Sequence, residues 1–197
     1  VTGYNAKDFA RKAKKIIVDI DKIEIKKNNI NPFKKICCDA KYFLKKLYNY
    51  LPKEKFVNND WHQYCKNIRK KYPIVLEQFR RQNKTINSYY FIEKLSEASK
   101  KNDIIVTDMG LSFVGTHQAF KVKKGQKLFT NSGHAPMGWG LPAAIGACYA
   151  KKKQRVICLT GEGGLQMNIQ ELATIMHNKL PIKIFIYNNG GYLTIKQ

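Results

Sequence analysis

Apolar positions follow two different patterns along the chain. In the rear half, Ile104-Ile105-Val106-Thr107, Lys127-Leu128-Phe129, Arg155 to Thr160 and Ile182 to Tyr187 are short apolar runs with little polar alternation. Such runs predict strands covered on both faces. Between them lie helical stretches: Ser88 to Lys100, with Ser88 placed to cap it, a segment from Ser112 to Phe120, the small-residue stretch Gly138 to Tyr149, and Asn168 to Asn178. A Gly-rich turn at 161 to 164 separates a strand from the last of these. The alternation predicts an α/β domain around a doubly wound parallel sheet. The front half is sparser. Lys15-Ile16-Ile17-Val18-Asp19-Ile20 predicts one strand, and Phe43, Leu44, Leu47 and Leu51 share a helical face with lysines opposite.

This pattern divides the chain into three parts. Residues 1–52 read as the last strand and helix of an α/β domain, residues 53–87 as a helical connector around Trp61, Tyr64 and Ile68, and residues 88–197 as the sheet domain. The start at Val1 without Met, and the stop just after a strand, predict a fragment.

Composition changes this picture little. Lys and Arg number 36 against 14 Asp and Glu, a net charge of +22, with 44% hydrophobic residues. The charge is spread along the chain, with 24 basic and 10 acidic side chains in residues 1–100 and 12 and 4 in the remainder. It is carried by Lys where nucleic-acid surfaces usually add Arg and Gly, so a basic nucleic-acid-binding module is a rival that charge alone supports. Cys37, Cys38, Cys65, Cys148 and Cys158 form no C-x-x-C pair, which predicts a reduced, cytoplasmic protein. No apolar run reaches the ~18 residues of a membrane helix, and no membrane partner is expected.

Ligands of parallel sheets bind beyond the carboxyl ends of the strands, which directs attention to residues 108–112, 131–137, 161–164 and 188–191. Gly161-Glu162-Gly163-Gly164 offers free N–H groups to an anion and a hard carboxylate to a cation. Asn188-Asn189-Gly190-Gly191 adds an amide oxygen and unhindered carbonyls. A carboxylate, an amide oxygen and a carbonyl suit Mg2+ that shares a substrate phosphate. Either cluster alone also reads as an ordinary turn.

The two clusters stand as G-x-G, 24 intervening residues, then N-N. Here the sequence resembles the thiamine diphosphate enzymes, whose signature is G-D-G, some two dozen residues, then N-N, and among them the acetolactate synthase-like group. Asn131-Ser132-Gly133-His134-Ala135-Pro136-Met137-Gly138-Trp139-Gly140-Leu141-Pro142-Ala143-Ala144-Ile145-Gly146 and Gln166 to Thr174 look like segments of that group. The resemblance implies that Glu162, Asn189 and the Gly191 carbonyl hold Mg2+, and that Gly161, Gly163, Gly164 and Asn189 surround the cofactor diphosphate. It places Leu111 and Ser112 on a diphosphate-touching loop, with an N-cap as the other reading of Ser112. It places Met137 under the bent cofactor, with core packing as the alternative, and the Ala135 carbonyl opposite the 4'-amino group. His134 reads as a substrate contact or a surface histidine, His117 and His177 as structural or solvated. Glu171 suits a helix first turn and Lys151-Lys152-Lys153 a helix end.

The resemblance further implies a thiamine diphosphate- and Mg-dependent 2-oxoacid decarboxylase or carboligase, converting pyruvate to 2-acetolactate and CO2 in branched-chain amino acid biosynthesis. Another 2-oxoacid decarboxylase, a 2-hydroxyacyl-CoA lyase and a non-catalytic cofactor-binding subunit are the alternatives. The activating glutamate of the family belongs to an N-terminal domain outside this chain, so no catalytic residue is expected in it, and the active site is expected across the interface of a homodimer or homotetramer. The resemblance makes residues 1–52 the end of a Rossmann-like central domain and leaves FAD open as a cofactor, since most of the domain that would bind it lies outside the chain. Glu162 departs from the family aspartate: one more methylene moves the carboxylate by roughly 1 to 1.5 Å, and Mg2+ tolerates little misplacement.

Overall fold

The computed structural model describes residues 5–27, 30–52, 58–192 and 195. The chain forms two compact units, Val1–Tyr64 and Cys65–Gln197. In the first, strand β1 (Ile16–Asp19) pairs in parallel with β2 (Lys34–Cys37), Ile16 opposite Lys34 and Asp19 opposite Cys37. Helix α1 (Lys22–Lys26) starts at Asp21, whose carboxylate accepts from the Ile23 N–H, and α2 (Ala40–Tyr50) starts at Asp39, which accepts from the Tyr42 N–H. The sequence pattern led to one strand here, and the structure has two. Lys34-Lys35-Ile36-Cys37 has one half-buried position, so backbone pairing to β1 makes the strand and no apolar pattern announces it.

Residues 59–80 hold α3 (Asn59–Lys71) and α4 (Glu77–Arg80), and the division between the two units falls within α3. Residues 53–57 of the expected connector lie outside the described residues.

The second unit is built on a four-stranded parallel sheet of β3 (Ile104–Thr107), β4 (Lys127–Phe129), β5 (Val156–Gly161) and β6 (Ile182–Tyr187), ordered β4-β3-β5-β6. The strands explain their own apolar runs. Ile105, Ile157 and Leu159 point to one face, packing with Ile92 and Leu95 of α5 (Ser88–Ala98) and Ala119 of α6 (Leu111–Ala119). Ile104, Val106, Val156 and Cys158 point to the other, packing with Ala144 and Cys148 of α7 (Gly140–Ala150). Alternate residues feed two cores, so neither face can be polar. The sheet is therefore doubly wound. Pro142 fits α7 because it sits in the first turn, where its missing N–H costs nothing.

The strand order reverses between β3 and β5: the chain leaves β3 for β4 on one side and returns to β5 on the other. A crevice forms at such a switch point, beyond the strand C-termini. The loops that follow β3 and β5 meet there.

Several boundaries differ from the sequence reading. Asn87 caps α5 by accepting from the N–H groups of Tyr89 and Tyr90, and Ser88 is the first helical residue. Gly110, with φ +76°, precedes α6, so the N-cap reading of Ser112 is replaced: Ser112 lies inside the helix and its hydroxyl donates to the Met109 carbonyl at 2.9 Å. The Gly-rich turn is itself the start of helix α8 (Glu162–Met167), and the expected helix from Asn168 begins only at α9 (Glu171–His177). Asn168 closes α8 with a non-helical backbone at φ −136° and ψ 33°, and its side-chain amide donates to the Gly138 carbonyl at 2.7 Å.

Candidate functional site

At the switch point lies a cavity of about 420 Å³. Leu111 and Ser112 line it from the first turn of α6, Ala135 and Met137 from residues 131–139, Gly161, Glu162, Gly163 and Gly164 from the end of β5 and the start of α8, and Asn189 and Gly191 from the segment after β6. The structure thus brings every candidate site residue of the sequence to one cavity. His134 is exposed and does not line it. His117 and His177 are exposed on α6 and α9, with the His117 ring nitrogen 3.0 Å from the Phe113 carbonyl. Glu171 accepts from the Thr174 hydroxyl at 3.0 Å.

Both glycines of α8 are closely approached by side chains. A Cβ on Gly163 would stand 2.1 Å from the Tyr192 ring, and one on Gly164 would stand 2.2 Å from Oδ2 of Asp108. No side chain caps α8, so its first-turn N–H groups have neither a helical nor a side-chain acceptor.

Across the cavity floor, Glu162 reaches the segment after β6: its Oε1 accepts from the Gly191 N–H at 2.9 Å. The Asn189 amide stands between two acceptors, 2.6 Å from the Gly191 carbonyl oxygen and 3.2 Å from Glu162 Oε1, and its nitrogen donates to both. With the amide turned over, three oxygens would face one another, an arrangement that a shared cation relieves. Among the described residues no group of three or more His, Cys, Asp and Glu side chains gathers to hold a metal. A cation here would instead rest on one carboxylate and two neutral oxygens, a donor set suited to a hard ion that also takes ligand phosphate. By donor chemistry, the residues present fit Mg2+ with a diphosphate.

The sequence reading missed Asp108, Met109, Gly110, Tyr187, Tyr192 and Ile195, which also line the cavity. Tyr187 ends β6, and burial pushes its hydroxyl above the ordinary phenol range, with the Thr116 hydroxyl opposing. Burial, reinforced by the Asp108 charge, pushes the Cys158 thiol behind the site up to about 12. It is therefore no thiolate nucleophile. Asp108, Met109 and Gly110 fell within the 108–112 loop that the sequence marks, without a role of their own. A signal existed in the position of Asp108, an acid directly after a fully buried strand.

Residues 108–197 match the family described as thiamine pyrophosphate enzyme, C-terminal TPP binding domain. Nearly the whole chain is similar to acetolactate synthases. It is 39% identical over 203 residues to the acetolactate synthase large subunit of Cyanidium caldarium, covering 100% of this chain and 33% of that one. It is 35% identical over 193 residues to the chloroplastic acetolactate synthase 2 of Zea mays, 96% of this chain and 30% of that one. It is 33% identical over 189 residues to the large subunit of acetolactate synthase isozyme 1 of Escherichia coli strain K12, 96% and 33% respectively. The chain spans about a third of the length of these curated relatives.

Proposed function

The chain belongs to the thiamine pyrophosphate enzymes and is acetolactate synthase-like, and from that premise we propose that it is the cofactor- and Mg2+-binding part of a 2-oxoacid decarboxylase or carboligase that makes 2-acetolactate from pyruvate. One observation carries this reading: Glu162, and Asn189 and Gly191 more than two dozen residues later in sequence, converge on one cavity with the free N–H groups of α8. When bound, thiamine diphosphate supplies the electron sink for decarboxylation. The Glu162 carboxylate, the Asn189 amide oxygen and the Gly191 carbonyl would hold Mg2+. The N–H groups of Gly163 and Gly164 would donate to the diphosphate, with Gly161, Leu111 and Ser112 beside it. Met137 would support the cofactor from below, while the Ala135 carbonyl accepts from its amino group. Met109, Tyr187 and Ile195 add apolar surface to the cavity wall.

The proposed setting is branched-chain amino acid biosynthesis in the cytoplasm. All five cysteines are free, which suits a reducing compartment. No described helix is long and apolar enough to cross a membrane. The proposed partners are a 2-oxoacid substrate and a further copy of the full-length protein that completes the active site.

Titration of the full-length protein with thiamine diphosphate, with and without Mg2+, tests the reading. Saturable, Mg2+-dependent binding is expected, and Glu162→Asp is expected to tighten Mg2+ by about tenfold or less, because a shorter arm restores the usual reach. Absence of saturable binding in both forms would overturn the proposal.

A further inference from the structure

Asp108 is the most confined acid in the second unit, 1% exposed, and none of the ion pairs among the described residues involves it. Its carboxylate is held by neutral donors from three parts of the chain. Oδ1 accepts from its neighbour, the Met109 N–H, at 2.9 Å. Both oxygens accept from the Gly138 N–H at 3.1 Å. Oδ2 accepts from the Thr160 hydroxyl at 2.8 Å. The Asp108 N–H completes the tie by donating to the Leu159 carbonyl at 2.8 Å.

Other positions are shaped to admit this side chain. A Cβ on Gly164 would stand 2.2 Å from Oδ2, and a Cβ on Gly140 would stand 2.9 Å from the Asp108 Cβ and 3.1 Å from its backbone nitrogen. Gly138, at φ +85°, is gripped from its other side by the Asn168 amide. Burying a carboxylate without a cation costs free energy that the hydrogen bonds only offset, so stability alone gives no reason to keep it. What the carboxylate does achieve is geometric. It fixes residues 108–112, 137–138 and 160–164, three of the four segments that line the cavity, against one another.

We propose that Asp108 is the positioning residue of this cavity, setting the Met137-Gly138 segment against the first turn of α8 so that a ligand finds both in place. Its effect on cofactor affinity rests on the proposed function. Its effect on the loops does not. In the isosteric amide, Oδ1 still accepts from Met109 and Gly138, while Nδ2 donates to the Thr160 oxygen, whose proton turns to the Gly161 carbonyl 3.1 Å away. The amide therefore preserves the tie, and alanine removes it.

The test uses full-length wild-type protein, Asp108→Asn and Asp108→Ala, with two readouts. The first is hydrogen exchange of peptides covering residues 131–139 without ligand. The second is affinity for thiamine diphosphate with Mg2+. In Asp108→Ala, exchange is expected to rise and affinity to fall by about tenfold or more, the scale of an unmade buried hydrogen bond. Asp108→Asn is expected to stay within about threefold of wild type in both, since its hydrogen bonds survive. Asp108→Ser carries the same expectation as alanine should Asp108→Ala not fold. Unchanged exchange in the alanine and serine variants would overturn the proposal, as would an asparagine variant as damaged as alanine. If wild type binds no thiamine diphosphate, the proposed function fails, and the exchange measurement still decides the role of Asp108.

Discussion

Asp103 and Asp108 stand at the two ends of β3, both buried, and their surroundings differ in kind. At the N-terminal edge of the sheet, Asp103 is paired with Arg155 at the head of β5, which donates through Nε to Oδ1 at 3.0 Å and through Nη2 to Oδ2. It also accepts from the Lys100 N–H at 2.7 Å. That is a staple between neighbouring strands, fully compensated in charge. At the C-terminal edge, Asp108 meets only neutral groups and opens onto a cavity. One strand thus carries a stabilising acid at one end and a site-shaping acid at the other, and the difference follows from the topology. Only the C-terminal edge has loops that diverge on opposite sides of the sheet and leave room between them.

The sharpest way to break this comparison is to crowd the site-shaping acid. Gly164→Ala places a methyl 2.2 Å from an oxygen of a carboxylate that hydrogen bonds to Met109, Gly138 and Thr160 hold in place. It is expected to cost about 1–3 kcal/mol of stability, as overpacking does, and to weaken thiamine diphosphate binding by about tenfold or more. Gly163→Ala is the control. Its methyl meets the Tyr192 ring, which is 45% exposed and can swing outward. Thermal melts and ligand titration of both variants should separate them. Equal losses would mean that the packing around Asp108 is no more rigid than the cavity rim.

The staple should behave in the opposite manner. Arg155→Ala leaves Asp103 with one backbone donor and is expected to cost about 1–2 kcal/mol, a buried pair discounted for the partial exposure of the arginine. Denaturant unfolding of the full-length protein reads this loss. The thiamine diphosphate affinity of the folded variant should stay within about twofold of wild type. A large loss of affinity would show that the two ends of β3 are coupled, and the division drawn between them would fail.

The sequence made the two edges unequally legible. Glu162, Asn189 and the glycines of 161–164 could be brought to one cavity from the sequence because each is marked at a strand end by its own side chain, or the lack of one. Ile104-Ile105-Val106 was readable because alternate residues feed two cores and leave no polar face. The role of Asp108 was not readable, because its partners are a backbone N–H 30 residues away and a hydroxyl 52 residues away. A backbone donor is the same at every residue and leaves no letter to find. Strand β2 was hidden for a related reason, since pairing with β1 does not require apolar side chains. The break between α8 and α9 sits at Asn168, whose backbone is non-helical at φ −136° and whose side chain reaches the distant Gly138 carbonyl, where local periodicity predicts a helix from Asn168.

A third buried acid measures how far charge compensation alone accounts for the staple. Glu93, on α5 and 8% exposed, is ion-paired with Arg80 at 2.5 Å and with Lys121 at 3.5 Å. The Arg80 guanidinium holds its carboxyl below the ordinary value of 4.5, burial opposing and Lys121 assisting. Because the folded value is the lower one, the stabilisation is fully present above the unfolded value and is lost as the pH falls through the folded one. The thermal midpoint should therefore be insensitive to this group at neutral pH and fall at acid pH, by about 2–4 °C for this contribution. Arg80→Gln should remove most of that acid-dependent fall while lowering the midpoint at neutral pH. If the variant melts with the same pH profile as wild type, the pair contributes nothing that depends on charge. The compensation assigned to Asp103 would then also have to be credited to hydrogen-bond geometry, which is what holds Asp108.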